Sequence, residues 1–123
     1  MTGAGAEFDS LPWRALYSRY LASVESLRDG RGEGFEDALW FLQRRPRFHG
    51  SGYLTERALQ YIDRAALAPR QRAAVIAAAE EIVAEGHTRE SWKARNLLVR
   101  LEVPGAGEAR AAAHRDLIRY RGY

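Results

Sequence analysis

Apolar side chains recur every three or four positions along most of this chain, the spacing of one helix face rather than of a strand. Trp13, Leu16, Tyr17, Tyr20, Val24 and Leu27 make the first stripe and predict a helix from Leu11 to Arg28. Ser10 is placed to cap it, and Pro12 to sit in its first turn. The run DGRGEG at 29–34 alternates glycine with charge and ends it. A second helix is expected from Phe35 to Arg45, with Glu36 and Asp37 at the positive end of its dipole. Phe35, Leu39 and Leu42 form its face, and Trp40 and Phe41 widen the apolar arc. Pro46 stops it by pushing residue 45 out of the helical region.

The third stripe, Leu54, Ala58, Tyr61, Ile62 and Ala65, predicts a helix from Gly52 or Tyr53 to Ala66. Pro69 suits the first position of a fourth, over 69–85, which buries Val75, Ile76, Ala79, Ile82 and Val83 and ends before the glycine at 86. Thr88 caps a fifth, to Leu101. Its Trp92, Leu97, Leu98, Val99 and Leu101 cover more than one face, as in a helix with neighbours on several sides. A sixth is expected from Glu108 to Arg119. No alternating β-branched run and no Asn-Gly or Asp-Gly hairpin signal is present.

The fold class is therefore all-α: about six helices in a compact bundle, antiparallel to their chain neighbours because the connections are short. The alternative is a short HEAT-like α-solenoid of three helical hairpins starting near residues 11, 53 and 88. LTERALQYI (54–62) and WKARNLLVRL (92–101) share an apolar–charge pattern similar to the second helix of a HEAT-type pair. Three pairs make only a minimal solenoid, so the bundle is preferred. Residues 1–9 are expected to be a flexible segment and 10–123 a single domain, a size that buries roughly two-thirds of its unfolded surface.

Composition chiefly removes possibilities. With no cysteine, neither a disulfide scaffold nor a thiolate metal site can form. The longest apolar run, AAVIAAA at 73–79, is closed by Glu80 and Glu81 and falls far short of the roughly 20 residues of a membrane helix. No basic-then-apolar leader opens the chain, so a cytoplasmic protein with no membrane partner is expected. The net charge of +3 is small for a nucleic-acid binder. Lys93 is the sole lysine, so the cations are otherwise arginines. Arginine is the better bidentate ligand for phosphate and carboxylate, but an Ala-, Arg- and Gly-rich chain is also what a GC-rich genome encodes.

The residues of catalysis and metal binding are present without their patterns. Glu81, Glu85 and His87 lie close together, but no Glu-x-x-His or His-x-x-x-His pair exists. Ser51 sits between glycines without the G-x-S-x-G spacing or the strand of a nucleophile elbow. His114, Arg115 and Asp116 match a kinase catalytic loop only as letters. DGRGEG and HGSG match neither phosphate-loop pattern. A non-enzyme without a cofactor is expected.

RRPRFHGSGY, at 44–53, is the segment that invites a ligand. If connections alternate between two ends, this loop shares one end with residues 86–89 and the C-terminal tail. Arg44, Arg45, Arg47, Arg89, Arg119 and Arg121 then outnumber the nearby carboxylates, whereas charges balance at the other end. Phe48, His49 and Tyr53 join them. Arginines among aromatics suit a protein hot spot or a single-stranded nucleic acid. The bland reading has Phe48 and Tyr53 stapling two helices and Arg44 and Arg45 favouring a helix dipole. The expected function is a non-catalytic helical interaction module, an accessory or adaptor protein binding a protein partner through this end. The alternative is sequence-nonspecific nucleic-acid binding through the same arginines. Reversing Arg44, Arg45 and Arg47 to glutamate is expected to leave the helices intact. Trp13, Trp40 and Trp92 are expected in the core, and Asn96 to need a polar partner.

Overall fold

The computed structural model describes residues 11–121, with side chains as far as Ile118. It is an all-α bundle of six helices: α1 (Trp13–Arg28), α2 (Phe35–Arg44), α3 (Ser51–Tyr61), α4 (Pro69–Val83), α5 (Arg89–Arg100) and α6 (Ala106–Arg121). Short 3₁₀ turns at Gly32–Gly34 and Ile62–Arg64 lead into α2 and out of α3. Among the described residues there is no strand, and no helix is long and apolar enough to cross a membrane. The proposed flexible segment 1–9 and the Ser10 cap lie outside the described residues.

Each helix lies near its expected position, and the ends differ for local reasons. Pro12 is the N-cap of α1 rather than a first-turn residue, with extended backbone at ψ 159°. The α-helical part of α3 stops at Tyr61, where the backbone tightens into the 3₁₀ turn, yet Ile62 and Ala65 still reach the core. α6 begins at Ala106 and outruns its expected end by two residues. Thr88 caps α5 as expected: its Oγ1 accepts from Ser91 N while Ser91 Oγ accepts from Thr88 N, both at 3.0 Å.

α1 packs on α2 and α3, α2 also on α3 and α4, and α3 on α5. α5 further holds α4 and α6, which accounts for its two-faced apolar pattern. α4 pairs with α5 rather than with α3, so the middle hairpin of the solenoid alternative is not the one formed. Tyr20, Phe41, Leu42, Leu54, Leu59 and Leu97 are among the fully enclosed core residues. Gly34 allows the closest approach of the α1–α2 connection. A Cβ there would meet Ser23 O at 2.7 Å and the Ser26 Cβ at 2.9 Å, so backbone would have to move. Ser23 and Ser26, small and buried, are the matching α1 residues.

Many arginines serve the fold. The last carbonyls of a helix have no donor within it and form the negative end of its dipole. Arg64 donates to Arg28 O at the end of α1 (2.6 Å). Arg100 donates to Leu59 O (2.9 Å) and Gln60 O (3.2 Å) at the end of α3. Arg72 donates to Leu101 O after α5, and Arg95 to Gly86 O just beyond α4. Asn96 finds its partner in Arg110 at 3.1 Å.

Tyr20 links α1 to α3 through its hydroxyl, which donates to Thr55 Oγ1 at 3.0 Å. Burial pushes its pKa well above the ordinary 10.0. Above pH 10 the unfolded chain loses this proton before the folded one does, so the folded state binds more protons and stability falls as pH rises. The Tyr20 contribution is complete below pH 10 and is lost as pH climbs toward the folded-state pKa. In urea titrations the native chain is expected to lose about 1 kcal/mol more than Tyr20→Phe does between pH 10 and 11. Equal slopes would show that Tyr20 ionises without unfolding.

Candidate functional site

The 44–53 loop and the 84–90 connection do meet, and a carboxylate pair holds them together. Arg45 follows α2 with its backbone in the left-handed region, at φ 49° and ψ 53°. This conformation turns the chain into Pro46 and aims the side chain at the α4–α5 connection. Arg45 Nη1 reaches Glu85 Oε2 at 2.6 Å, and Nη2 lies 2.9 Å from Glu90 Oε2. The side chain is only 10% exposed and Glu90 only 13%. The Nη2–Oε2 contact is a charge pair without hydrogen-bond alignment, and Arg45 Nε is buried with no acceptor. Arg47 touches the other Glu90 oxygen at 3.5 Å from an exposed position. Arg89, also exposed, turns to Glu56 at 3.6 Å.

The expected site is thus partly assembled and partly neutralised. Arg45 is a buried structural pair and is not offered to a ligand, which corrects its place in the exposed set. Arg44 is exposed, with its guanidinium 5.8 Å from the Trp40 ring centre. Phe48 is half-buried against the core, and its N–H donates to Ser51 Oγ at 3.2 Å. His49 and Tyr53 are exposed. The side chains of Arg119 and Arg121 lie outside the described residues. Glu85 pairs with Arg45, and His87 stacks on Trp92 with ring centres 6.0 Å apart. Among the described residues no acid–histidine group is arranged to hold a metal.

A larger feature runs along the seam between α1 and α3. Trp13 is 47% exposed and Tyr53 56%, the two large hydrophobics that the described surface leaves most open. Trp13 is therefore not in the core. Beside it, Trp13, Arg14, Tyr17, Ser18, His49 and Gly50 line a hollow of about 480 Å³. His49 meets Trp13 edge-to-face, with ring centres 6.3 Å apart. Gly50, at φ 85°, lies under the Tyr17 ring so closely that a Cβ would come within 2.9 Å of it. The seam continues into a second hollow of about 290 Å³, where Leu21, Glu25 and Arg28 of α1 face Tyr53, Arg57 and Tyr61 of α3.

Three arginines on this seam lie on rings instead of on carboxylates. Arg14 is 5.3 Å from the Trp13 centre, Arg57 5.0 Å from Tyr53, and Arg64 4.6 Å from Tyr61. None has a carboxylate partner among the described residues, whereas Arg45, Arg47, Arg89 and Arg100 all do. Sequence reasoning missed Arg14, Tyr17, Arg57 and Tyr61. The signal was present as Trp13 and Tyr17 four apart, and Tyr53, Arg57 and Tyr61 four apart again. It was absorbed into the apolar stripes because periodicity does not say which margin of a stripe meets water.

Fold and site together define a helical bundle with a cationic, aromatic-lined seam. No family model matches the chain, and neither the curated proteins nor the solved structures include one detectably similar to it.

Proposed function

We propose that this protein is a non-catalytic helical interaction module, an accessory or adaptor protein, that binds a protein partner where the 44–53 loop meets α1 and α3. The exposure of Trp13 and Tyr53 at one seam carries this reading. Large aromatics left in water are costly for a monomer, and covering them recovers roughly 1.5–3 kcal/mol each. Trp, Tyr and Arg are the residues that dominate protein hot spots. The carboxylate pairing of Arg45, Arg47 and Arg89 favours protein over nucleic acid, because it lowers the positive charge that phosphates would meet.

A photo-crosslinking residue at Tyr53, expressed in the native host, tests this. It is expected to capture a protein, with the adduct unchanged by nuclease. The same residue at Glu80, exposed on α4, is expected to capture none. Adding Trp13→Ala to the Tyr53 probe should reduce capture about tenfold or more, the effect of losing a hot-spot side chain. A nuclease-sensitive adduct, or equal capture from both positions, would reject the reading.

A further inference from the structure

We infer that the α1–α3 seam accepts an acidic amphipathic helix from the partner protein, with its apolar residues against the rings and its carboxylates on Arg14, Arg57 and Arg64. This rests on the proposed protein-binding role and specifies the chemistry of the partner.

The seam has the form for it. On α1, Trp13, Tyr17 and Leu21 recur every four residues and make one line along the helix. On α3, Tyr53, Arg57 and Tyr61 make the facing line. From Trp13 to Arg28 the α1 wall runs about 22 Å at 1.5 Å per residue, the length of about four turns of a partner helix. A helix laid in such a groove reads out as anchors at positions i, i+3 or i+4, and i+7.

Charge identifies the occupant. Elsewhere carboxylates take Arg45, Arg47, Arg89 and Arg100, and helix-end carbonyls take Arg72, Arg95 and Arg100. Among the described residues Arg14 and Arg57 have neither, Arg57 donating to Gln60 Oε1, and Arg64 has the Arg28 carbonyl without a carboxylate. Glu25 is the carboxylate that lines the seam, while Asp29 beyond its end is held by Arg28 and Arg31. Arg57 and Arg64 each give one Nη1 proton, to Gln60 Oε1 and Arg28 O respectively, and the remaining N–H groups of a guanidinium on a ring are the donors a carboxylate takes.

Magnitude favours a carboxylate-bearing helix over single-stranded nucleic acid. Each guanidinium covers a ring face on which a base would otherwise stack. Three uncompensated arginines give a log–log salt slope of only about −2 on a single strand, too few contacts for tight phosphate-driven binding. Leu21, half-buried on the seam, adds an apolar surface that a partner leucine would cover.

The test uses the whole chain and three fluorescent probes. One is a helical peptide of about 16 residues with leucine every third or fourth position and glutamates on both flanks. The second is the same peptide with every Glu replaced by Gln. The third is an oligothymidine of about 16 nucleotides. By fluorescence anisotropy the acidic peptide is expected to bind at least tenfold tighter than either of the others. Arg14→Glu and Arg57→Glu should each weaken it about tenfold or more with unchanged circular dichroism, whereas Arg115→Glu, exposed on α6 and outside the seam, should change it less than threefold. The inference is overturned by equal binding of the Glu and Gln peptides, by tighter binding of the oligothymidine, or by an equal loss in Arg115→Glu. If the Tyr53 probe still captures a protein while the acidic peptide fails, the interaction role stands and only its acidic partner falls.

Discussion

Arg45→Ala is expected to destabilise the protein by about 3 kcal/mol, although sequence alone places this arginine in an exposed loop. Removing one member of a buried ion pair leaves the other charge uncompensated, at a cost of about 3–5 kcal/mol. Here the mostly buried Glu90 would keep only the Arg47 contact at 3.5 Å, and the more exposed Glu85 would lose its partner. The lower end of the range applies because Glu85 can turn to water. In a chain of 123 residues the melting temperature should fall by about 10–15 °C. The backbone supplies a control. Residue 45 is left-handed at φ 49°, a conformation glycine adopts freely and alanine does not. Arg45→Gly should therefore be about 1 kcal/mol less damaging than Arg45→Ala, while Arg47→Ala, exposed, should cost under about 0.5 kcal/mol. Arg45→Glu should be worse than either, since it places a third carboxylate beside Glu85 and Glu90. Reversing all three loop arginines is thus expected to disturb the fold, contrary to the expectation from sequence. Urea melts showing a loss below 1 kcal/mol for Arg45→Ala would mean that the pair contributes little.

Phe41→Ala is expected to cost about 4 kcal/mol, within the 3–5 typical of a deleted buried aromatic. Phe41 is fully enclosed, stacks on Tyr20 at 4.1 Å with planes 9° apart, and meets Trp40 edge-on at 4.9 Å. Its removal takes away the transfer energy of the ring and the stacking contribution of about 1 kcal/mol. It also leaves a cavity beside the Tyr20–Thr55 hydrogen bond that joins α1 to α3. The melting temperature should drop by about 15 °C with the urea m-value unchanged. Phe41→Leu keeps most of the volume and should lose about half as much. A loss below 2 kcal/mol for Phe41→Ala would show that the core closes around the gap.

How the helices read from sequence explains which parts of the site did not. Pro69 and Thr88 act within one turn of themselves, so the starts of α4 and α5 were legible. Of the stripe expected on α4, which needs only the helical repeat, Val75, Ala79 and Ile82 are buried, while Ile76 and Val83 at its margins are half-buried. Pro46 correctly marked the end of α2, but not that Arg45 would turn left-handed there and reach a glutamate 40 residues away. Trp13 and Tyr17 belong to the same stripe as Tyr20, and nothing in their spacing says that the first two sit at its wet margin. That depends on where α3 stops covering α1, at Gly50.

The same distinction governs the arginines. By itself the sequence determined six helices, an all-α class and the concentration of cationic charge in arginine, because helix period, caps and breakers are properties of neighbouring residues. The tertiary structure decided which arginines cap a helix end, which are buried against glutamate and which lie uncompensated on aromatic rings. A guanidinium takes whatever acceptor the packing brings within reach. Its partners, such as Glu85 for Arg45, Arg28 O for Arg64 and Asp63 for Arg100, lie 36 to 40 residues away along the chain.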